Sequence, residues 1–86
     1  MYYVYILYSQ KLKKRYIGST NDIQTRIQQH NNGSSEFTKT GKQWKLIYYE
    51  AFISKNDALI EERFLKSGKG RERISFLLSD TMKLTT

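Results

Sequence analysis

The sequence contains no cysteine and only one histidine in its 86 residues. The absence of cysteine excludes disulfide bonds, thiol catalysis and cysteine-ligated zinc sites. HExxH, P-loop and GxGxxG motifs are absent as well, so no signature of a zinc protease or of a nucleotide-binding loop is present. The segment Gly68-Lys69-Gly70 resembles part of a phosphate loop, but it follows a predicted helix and we interpret it as a helix stop.

Long apolar runs are also missing, because no stretch approaches the about 18 residues that a membrane span needs. Residues 1–8 are apolar, yet they lack the basic start and the small-residue cleavage site of a signal peptide. The chain has no internal repeat or linker. We therefore expect a cytoplasmic protein with no membrane partner, built as one domain over residues 1–78 with a frayed tail over residues 79–86.

Acidic residues are scarce relative to basic ones. Fifteen lysines and arginines stand against eight aspartates and glutamates, giving a net charge of +7 and a pI of about 9.7. This excess is typical of nucleic-acid-binding domains, although it also suits anionic membranes or a merely solvated surface. The basic residues that we expect to contact nucleic acid are Lys13, Lys14, Arg15, Lys39, Lys42, Lys69, Arg71 and Arg73.

Along the chain, segments with the apolar spacing of strands are followed by segments with the apolar spacing of helices. Residues 33–43 are predicted to form a polar, mobile loop, and Ser54 is a predicted N-cap. The predicted strands cover residues 2–8, 15–20 and 44–52, and the predicted helices cover residues 22–31, 56–66 and 71–78.

The first two strands form a predicted hairpin that brings Tyr5 and Tyr16 close together on one sheet. Strands are rich in tyrosine, so ordinary packing is the alternative for both. Gly18 lies inside the second strand, where glycine costs stability and marks a close approach by a helix or a substrate.

The first helix carries Ile23, Arg26, Ile27 and His30 at the spacing of one face. Because the isoleucines must face the core, Arg26 and His30 are expected to point inward or to line its edge. Arg26 suits a phosphate clamp, and the alternative is a structural salt bridge. His30 suits holding a water or carrying a proton, and the alternative is a buried structural group.

Glu62 interrupts an apolar helix stripe formed by Ala58, Leu59 and Leu65. Buried carboxylates are almost always paired. Glu62 is therefore expected either to form an ion pair, with Arg26 or another basic residue, or to hold a metal. A hard ion such as Mg²⁺ or Mn²⁺ suits a single carboxylate that is completed by waters and a substrate phosphate.

As a set these residues resemble the GIY-YIG nuclease superfamily over about residues 2–78. Tyr3-Val4-Tyr5 stands at the position of GIY, and Tyr16-Ile17-Gly18 is YIG as written. Arg26 matches the family's arginine, His30 a position that is His or Tyr, and Glu62 the metal-binding glutamate.

The segments at residues 46–50 and 66–68 also resemble the small stand-alone bacterial members, which are similar to the nuclease domain of the excision-repair incision enzyme. The resemblance implies an α+β fold with a three-stranded antiparallel β-sheet flanked by about three helices. It also implies a metal-dependent DNA endonuclease with little sequence specificity, acting in DNA repair or recombination.

The same resemblance implies roles for the matched residues. One Mg²⁺ or Mn²⁺ ion, held by Glu62, would polarise the scissile phosphate, while Arg26 would neutralise its charge. Either Tyr5 or Tyr16 would activate the water, with help from His30. Gly18 would allow backbone and substrate to approach closely.

Two departures from the family pattern stand out. Tyr3 replaces the first glycine, and residues 71–74 lack the asparagine that some family nucleases carry. Larger members use a second module for target choice, so a protein partner could supply specificity to a monomer or weak dimer here. DNA is the expected substrate and RNA stays open. The alternatives are a non-catalytic nucleic-acid-binding module and a partner-dependent subunit.

Overall fold

The computed structural model describes residues 1–32 and 43–85. Its elements confirm the predicted α+β class. Of the loop predicted over residues 33–43, only Gln43 lies within the described residues. The elements are β1 (Tyr2–Ser9), β2 (Lys14–Thr20), α1 (Ile23–Asn31), β3 (Lys45–Phe52), α2 (Lys55–Leu65), α3 (Gly68–Leu77) and α4 (Ser79–Thr85).

The three strands form one antiparallel sheet in the order β2-β1-β3. β1 is central, so both of its edges are paired, and with side chains from the helices packed on both faces it is buried continuously from Val4 to Ser9. In the β1–β2 hairpin Tyr5 stands opposite Gly18, while the preceding residue Val4 stands opposite Ser19. Since side chains alternate along a strand, these two pairs project from opposite faces of the sheet.

Each face of the sheet has its own apolar core. Val4 and Ile6 face the helices α2 and α3, where Ala58, Leu65 and Ile74 complete a buried cluster. The other face carries a smaller cluster, which packs against α1 and consists of Tyr5, Leu7 and Trp44 with the partly buried Leu12, Tyr16, Ile27 and Leu46. The strand predicted over residues 2–8 is thus confirmed, and its residues contribute alternately to the two cores.

Polar caps set the starts of the helices. Asp22 caps α1 through the backbone N–H of Thr25, and Ser54 caps α2 as predicted. The helix before Gly68-Lys69-Gly70 does stop, at Leu65, but the predicted start of the next helix at residue 71 was wrong, because these three residues form the first turn of α3 behind the cap Ser67. The reason is packing: a Cβ atom on Gly70 would overlap the carbonyl oxygen of Phe64, so glycine lets α3 start directly against the end of α2.

The last seven residues of the described chain also differ from expectation. Residues predicted to fray form α4, which continues from α3 after Leu78. The helix is anchored because Met82 packs against the α2–α3 core and its N–H donates to the carbonyl of Leu78 over 2.8 Å. Among the helices of residues 1–32 and 43–85, none has the length and apolar character needed to cross a membrane.

Candidate active site

The two motif tyrosines meet over Gly18. The ring centroids of Tyr5 and Tyr16 are 6.2 Å apart, which confirms the predicted proximity. A Cβ atom on Gly18 would lie 2.6 Å from the Tyr5 hydroxyl oxygen and 3.1 Å from a ring carbon of Tyr16. A close approach at Gly18 is present as expected, but tyrosine rings of the same sheet face make it in this structure, and not a helix.

His30 completes this aromatic group from the end of α1. It is only 2% exposed, and its Nε2 atom lies 3.0 Å from the Tyr5 hydroxyl. Its ring also packs 4.6 Å from the ring of Tyr16. Burial lowers the pKa of His30, and the positive charge of Arg26 lowers it further, so the imidazole is neutral at pH 7.

The hydroxyl of Tyr5 is held in its protonated form. Tyr5 has no exposed surface. Burial raises the pKa of Tyr5 to about 12, and the opposing effect of Arg26 offsets this only in part. A phenol with this pKa keeps its proton at neutral pH. Its hydroxyl can therefore donate a hydrogen bond to the nearby Nε2 of His30.

Arg26 lies on the exposed side of α1, at the edge of the aromatic group formed by Tyr5, Tyr16 and His30, and not within the core. Its Nη1 donates to Gln29 Oε1 over 3.3 Å. A hydrogen-bonding interaction with Tyr5 raises the pKa of Arg26, and the nearby Tyr16 and Glu62 act in the same direction. The guanidinium therefore supplies a fixed positive charge that remains open to solvent.

Glu62 reaches the same end of the sheet from the opposite face. Its Oε1 accepts a 2.6 Å hydrogen bond from Ser19, and its Oε2 forms a 2.6 Å ion pair with Lys66. Burial raises the pKa of Glu62, but the hydrogen bonds from Lys66 and Ser19 and the charges of Lys66 and Arg26 outweigh it and lower the pKa. The ion-pair alternative is thus present, and its partner is Lys66.

The donor set suits one hard cation only in part. Glu62 is ionised and its Oε2 already accepts an ammonium group, so this oxygen is placed to accept a positive charge. Within the described ranges, no group of three or more His, Asp or Glu side chains lies close enough to hold an ion. An Mg²⁺ or Mn²⁺ ion at Glu62 would therefore take most of its ligands from water and a phosphate.

The basic residues expected to contact nucleic acid divide between different surfaces. Lys13, Lys14, Arg15 and Arg71 line one groove beside Tyr16. Lys69 is exposed in the first turn of α3. Two others, Lys39 and Lys42, lie outside the described residues.

Arg73 is engaged elsewhere, beside a pair of carboxyl groups that the sequence did not predict. Contact with Glu50 and then burial raise the pKa of Glu61 to about 7, while Arg73 acts in the lowering direction. In the described chain, Glu50 Oε1 is buried without a hydrogen-bond partner, which a proton shared with Glu61 would supply.

Ser19 and Lys66 are the site residues that sequence reasoning missed. Lys66 follows Glu62 by four positions, a spacing at which opposite charges meet on a helix, so that signal was available. Ser19 is harder to find, because its contact with Glu62 joins residues 43 positions apart.

Comparisons with known proteins identify the family of this chain and support its fold. The family model described as the GIY-YIG catalytic domain matches residues 1–75. Over 84 residues the chain is 34% identical to the UPF0213 protein CPE1444 of Clostridium perfringens, covering 96% of this chain and 89% of that protein. A UPF0213 protein of Limosilactobacillus reuteri is 37% identical over 89 residues, with 96% and 92% covered. The solution NMR structure of the UPF0213 protein BH0048 from Bacillus halodurans is similar at a TM-score of 0.54 and 32% identity, covering 90% of this chain and 85% of that one.

Proposed function

This chain belongs to the GIY-YIG catalytic domain family, and from that premise we propose that it is an endonuclease that hydrolyses DNA phosphodiester bonds with one divalent ion. The family is one of nuclease domains, and its small bacterial UPF0213 members are similar to this chain over most of their length. Low sequence specificity is part of the proposal, because the described residues of the site offer charge and hydroxyl groups to a phosphate and no array of groups for reading bases.

The observation that carries this proposal is the convergence at one end of the sheet. Tyr5, Tyr16 and His30 meet on one face over Gly18, and Glu62 arrives from the other face. Electrostatic interactions link Arg26 to both groups, since it acts on the pKa of His30 and on that of Glu62. A phosphate between them would meet a cation, hydroxyl groups and a carboxylate able to hold a metal ion.

Tyr16 is the tyrosine that we assign to the attacking water. Tyr5 has no exposed surface, whereas Tyr16 is partly exposed and lines the groove beside the site. In hydrolysis the water oxygen bonds to phosphorus, the ester P–O bond breaks, and the water's proton must leave. That proton leaves to solvent past the partly exposed Tyr16, while His30 assists by packing on Tyr16 and holding Tyr5 through the contact between its Nε2 and the Tyr5 hydroxyl.

Arg26 and Glu62 act on the phosphate in this scheme. The guanidinium of Arg26 is positively charged and exposed, so it can neutralise charge that builds on the phosphate oxygens. Glu62 would hold an Mg²⁺ or Mn²⁺ ion with Ser19 fixing the carboxylate orientation. When bound, such an ion polarises the phosphate and stabilises the leaving oxygen.

The test is nicking of supercoiled plasmid with Mg²⁺ or Mn²⁺ by the wild type, Glu62→Gln and Glu61→Gln. Glu61 is the matched control because it is the adjacent carboxyl group on the same helix but contacts Glu50 instead of Ser19. Nicking by the wild type and Glu61→Gln, with loss in Glu62→Gln, supports the proposal. Equal nicking by all three proteins would refute the assignment of Glu62.

One observation favours a second candidate, a nucleic-acid-binding module without catalysis. A lone carboxylate would repel phosphate, but Lys66 already neutralises Glu62. Such a module would bind DNA in a salt-sensitive way and would show no nicking by any of the three proteins.

A further inference from the structure

A basic groove runs beside the candidate active site, between the β1–β2 hairpin and helices α2 and α3. Its volume is about 690 Å³. Three of its cations come from the hairpin and two from the helices, so they stand on both walls. These residues are Lys13, Lys14, Arg15, Lys66 and Arg71.

The groove has apolar surface between its charges. Tyr16 and Ile17 of β2 form part of its wall, and both are partly exposed. Among the described strands, β2 lies at the edge of the sheet and pairs with β1. Phosphates can therefore meet the cations of the two walls while a base packs on the tyrosine and isoleucine.

The chemistry of the groove suits one strand. A duplex stacks its bases inside and offers only phosphates to a basic wall, whereas an unpaired strand can also place a base against Tyr16. Grooves that combine positive charge with an aromatic side chain are typical of single-strand binding.

The groove leads directly to the candidate metal carboxylate. Lys66 lines the groove, and the same ammonium group lies 2.6 Å from Glu62 Oε2. On the far side of this carboxylate, a smaller cleft of about 280 Å³ is lined by Ser19, Arg26 and Lys55. A strand lying in the groove would thus pass Glu62 and continue toward Arg26.

We propose that this groove binds single-stranded nucleic acid, with phosphates on the two basic walls and a base against Tyr16 and Ile17. The inference deepens the proposed function and rests on it for the chemistry at Glu62, but binding in the groove is measurable without that chemistry. The substrate class that follows is an unpaired strand, as in a gap, flap or loop.

The test measures binding by fluorescence anisotropy in EDTA, across a salt series, so that no metal-dependent cleavage occurs. The probes are a labelled oligothymidylate, an oligouridylate, a duplex of the same length and an abasic oligomer. The groove variant is Lys14→Gln with Arg71→Gln, one substitution from each wall. The matched control is Lys45→Gln with Lys83→Gln, two exposed cations that do not line the groove.

We expect the single strands to bind more tightly than the duplex, and the abasic oligomer to bind several-fold more weakly than oligothymidylate. The groove variant should bind oligothymidylate about tenfold more weakly, and its salt slope should fall by about 1.4, the value for two lost phosphate contacts on a single strand. The control variant should keep the wild-type slope. Comparison of oligouridylate with oligothymidylate tells whether the groove discriminates RNA from DNA. Equal binding of the two indicates that it uses backbone and base contacts common to both.

Three results would overturn the proposal: tighter binding of the duplex, equal loss of affinity in the groove and control variants, or equal binding of abasic and thymidylate oligomers. Because all four substituted residues are exposed, circular dichroism is expected to show unchanged folding. Failure of the nuclease proposal would appear separately, as groove-dependent binding without nicking of plasmid or of any single strand when metal is added.

Discussion

Replacing Lys66 with methionine should strengthen the binding of a divalent ion at Glu62. The ammonium of Lys66 lies 2.6 Å from Glu62 Oε2, so an ion that uses this oxygen must displace it. Methionine keeps an unbranched side chain of similar length and removes both the charge and the hydrogen-bond donors. The carboxylate then loses its competing partner.

The size of the effect follows from the exposure of the pair. The side chain of Lys66 is 52% exposed and that of Glu62 is 18% exposed, so solvent screens much of the attraction. A pair of this kind contributes about 0.5–1 kcal/mol. In Lys66→Met the ion no longer has to break this pair, so its affinity for Glu62 should rise about two- to fivefold.

The assay follows free Mn²⁺ by electron paramagnetic resonance in the absence of nucleic acid, so it does not depend on turnover. The matched control is Arg63→Met, which removes an exposed cation from the same last turn of α2. It should leave the Mn²⁺ affinity close to that of the wild type. Glu62→Gln should lose this binding in either background.

An unchanged or weaker Mn²⁺ affinity in Lys66→Met would refute the competition between the ammonium and the ion. A weaker affinity would show that Lys66 orients the carboxylate for the metal. The same gain in Arg63→Met would refute it in another way, because the effect would then reflect the total charge of the helix end.

The other predictions concern stability, measured by urea unfolding. Gly70→Ala should cost about 2–3 kcal/mol, because its Cβ would overlap backbone of α2 that cannot move alone. Gly18→Ala should cost about 1–3 kcal/mol, since its Cβ would press on the hydroxyl and ring of the fully buried Tyr5, which would have to shift against His30; an unchanged stability would contradict this contact. Contact with Glu50 raises the pKa of Glu61 to about 7, so the folded state holds a proton that the unfolded state releases at lower pH. Wild-type stability should therefore fall as the pH rises from the ordinary glutamate range through about 7. Glu61→Gln should remove that fall and gain on the order of 1 kcal/mol above pH 7, a modest value because the pair is partly solvated; identical pH profiles would refute the shared proton.

Sequence patterning was sufficient for the elements whose burial is periodic. The apolar patterning predicted the strand at residues 2–8, and its pairing with β2 placed Tyr5 and Tyr16 together as expected. The start of α3 was misread for a physical reason. Local propensity treats Gly68 and Gly70 as helix breakers, but the contact between α2 and α3 requires a residue without a side chain at Gly70.

The surroundings of the carboxylates were less predictable. The helical position of Glu62 required a partner, and the sequence offered a distant arginine, a metal and other basic residues as alternatives. The structure has a local partner, Lys66, and a remote one, Ser19. The contact between Glu50 and Glu61 joins β3 to α2, and no pattern within either element reports it.

The alternation of β2 explains how the candidate site joins two faces of one sheet. Gly18 provides the space for Tyr5 on the α1 face, and the next residue, Ser19, projects to the other face and binds Glu62. A slip of one residue in the β1–β2 pairing would place Ser19 against Tyr5 and take its hydroxyl away from Glu62. The tyrosine group and the carboxylate are therefore aligned by the register of one edge strand, and the site can assemble only when both faces of the sheet are packed.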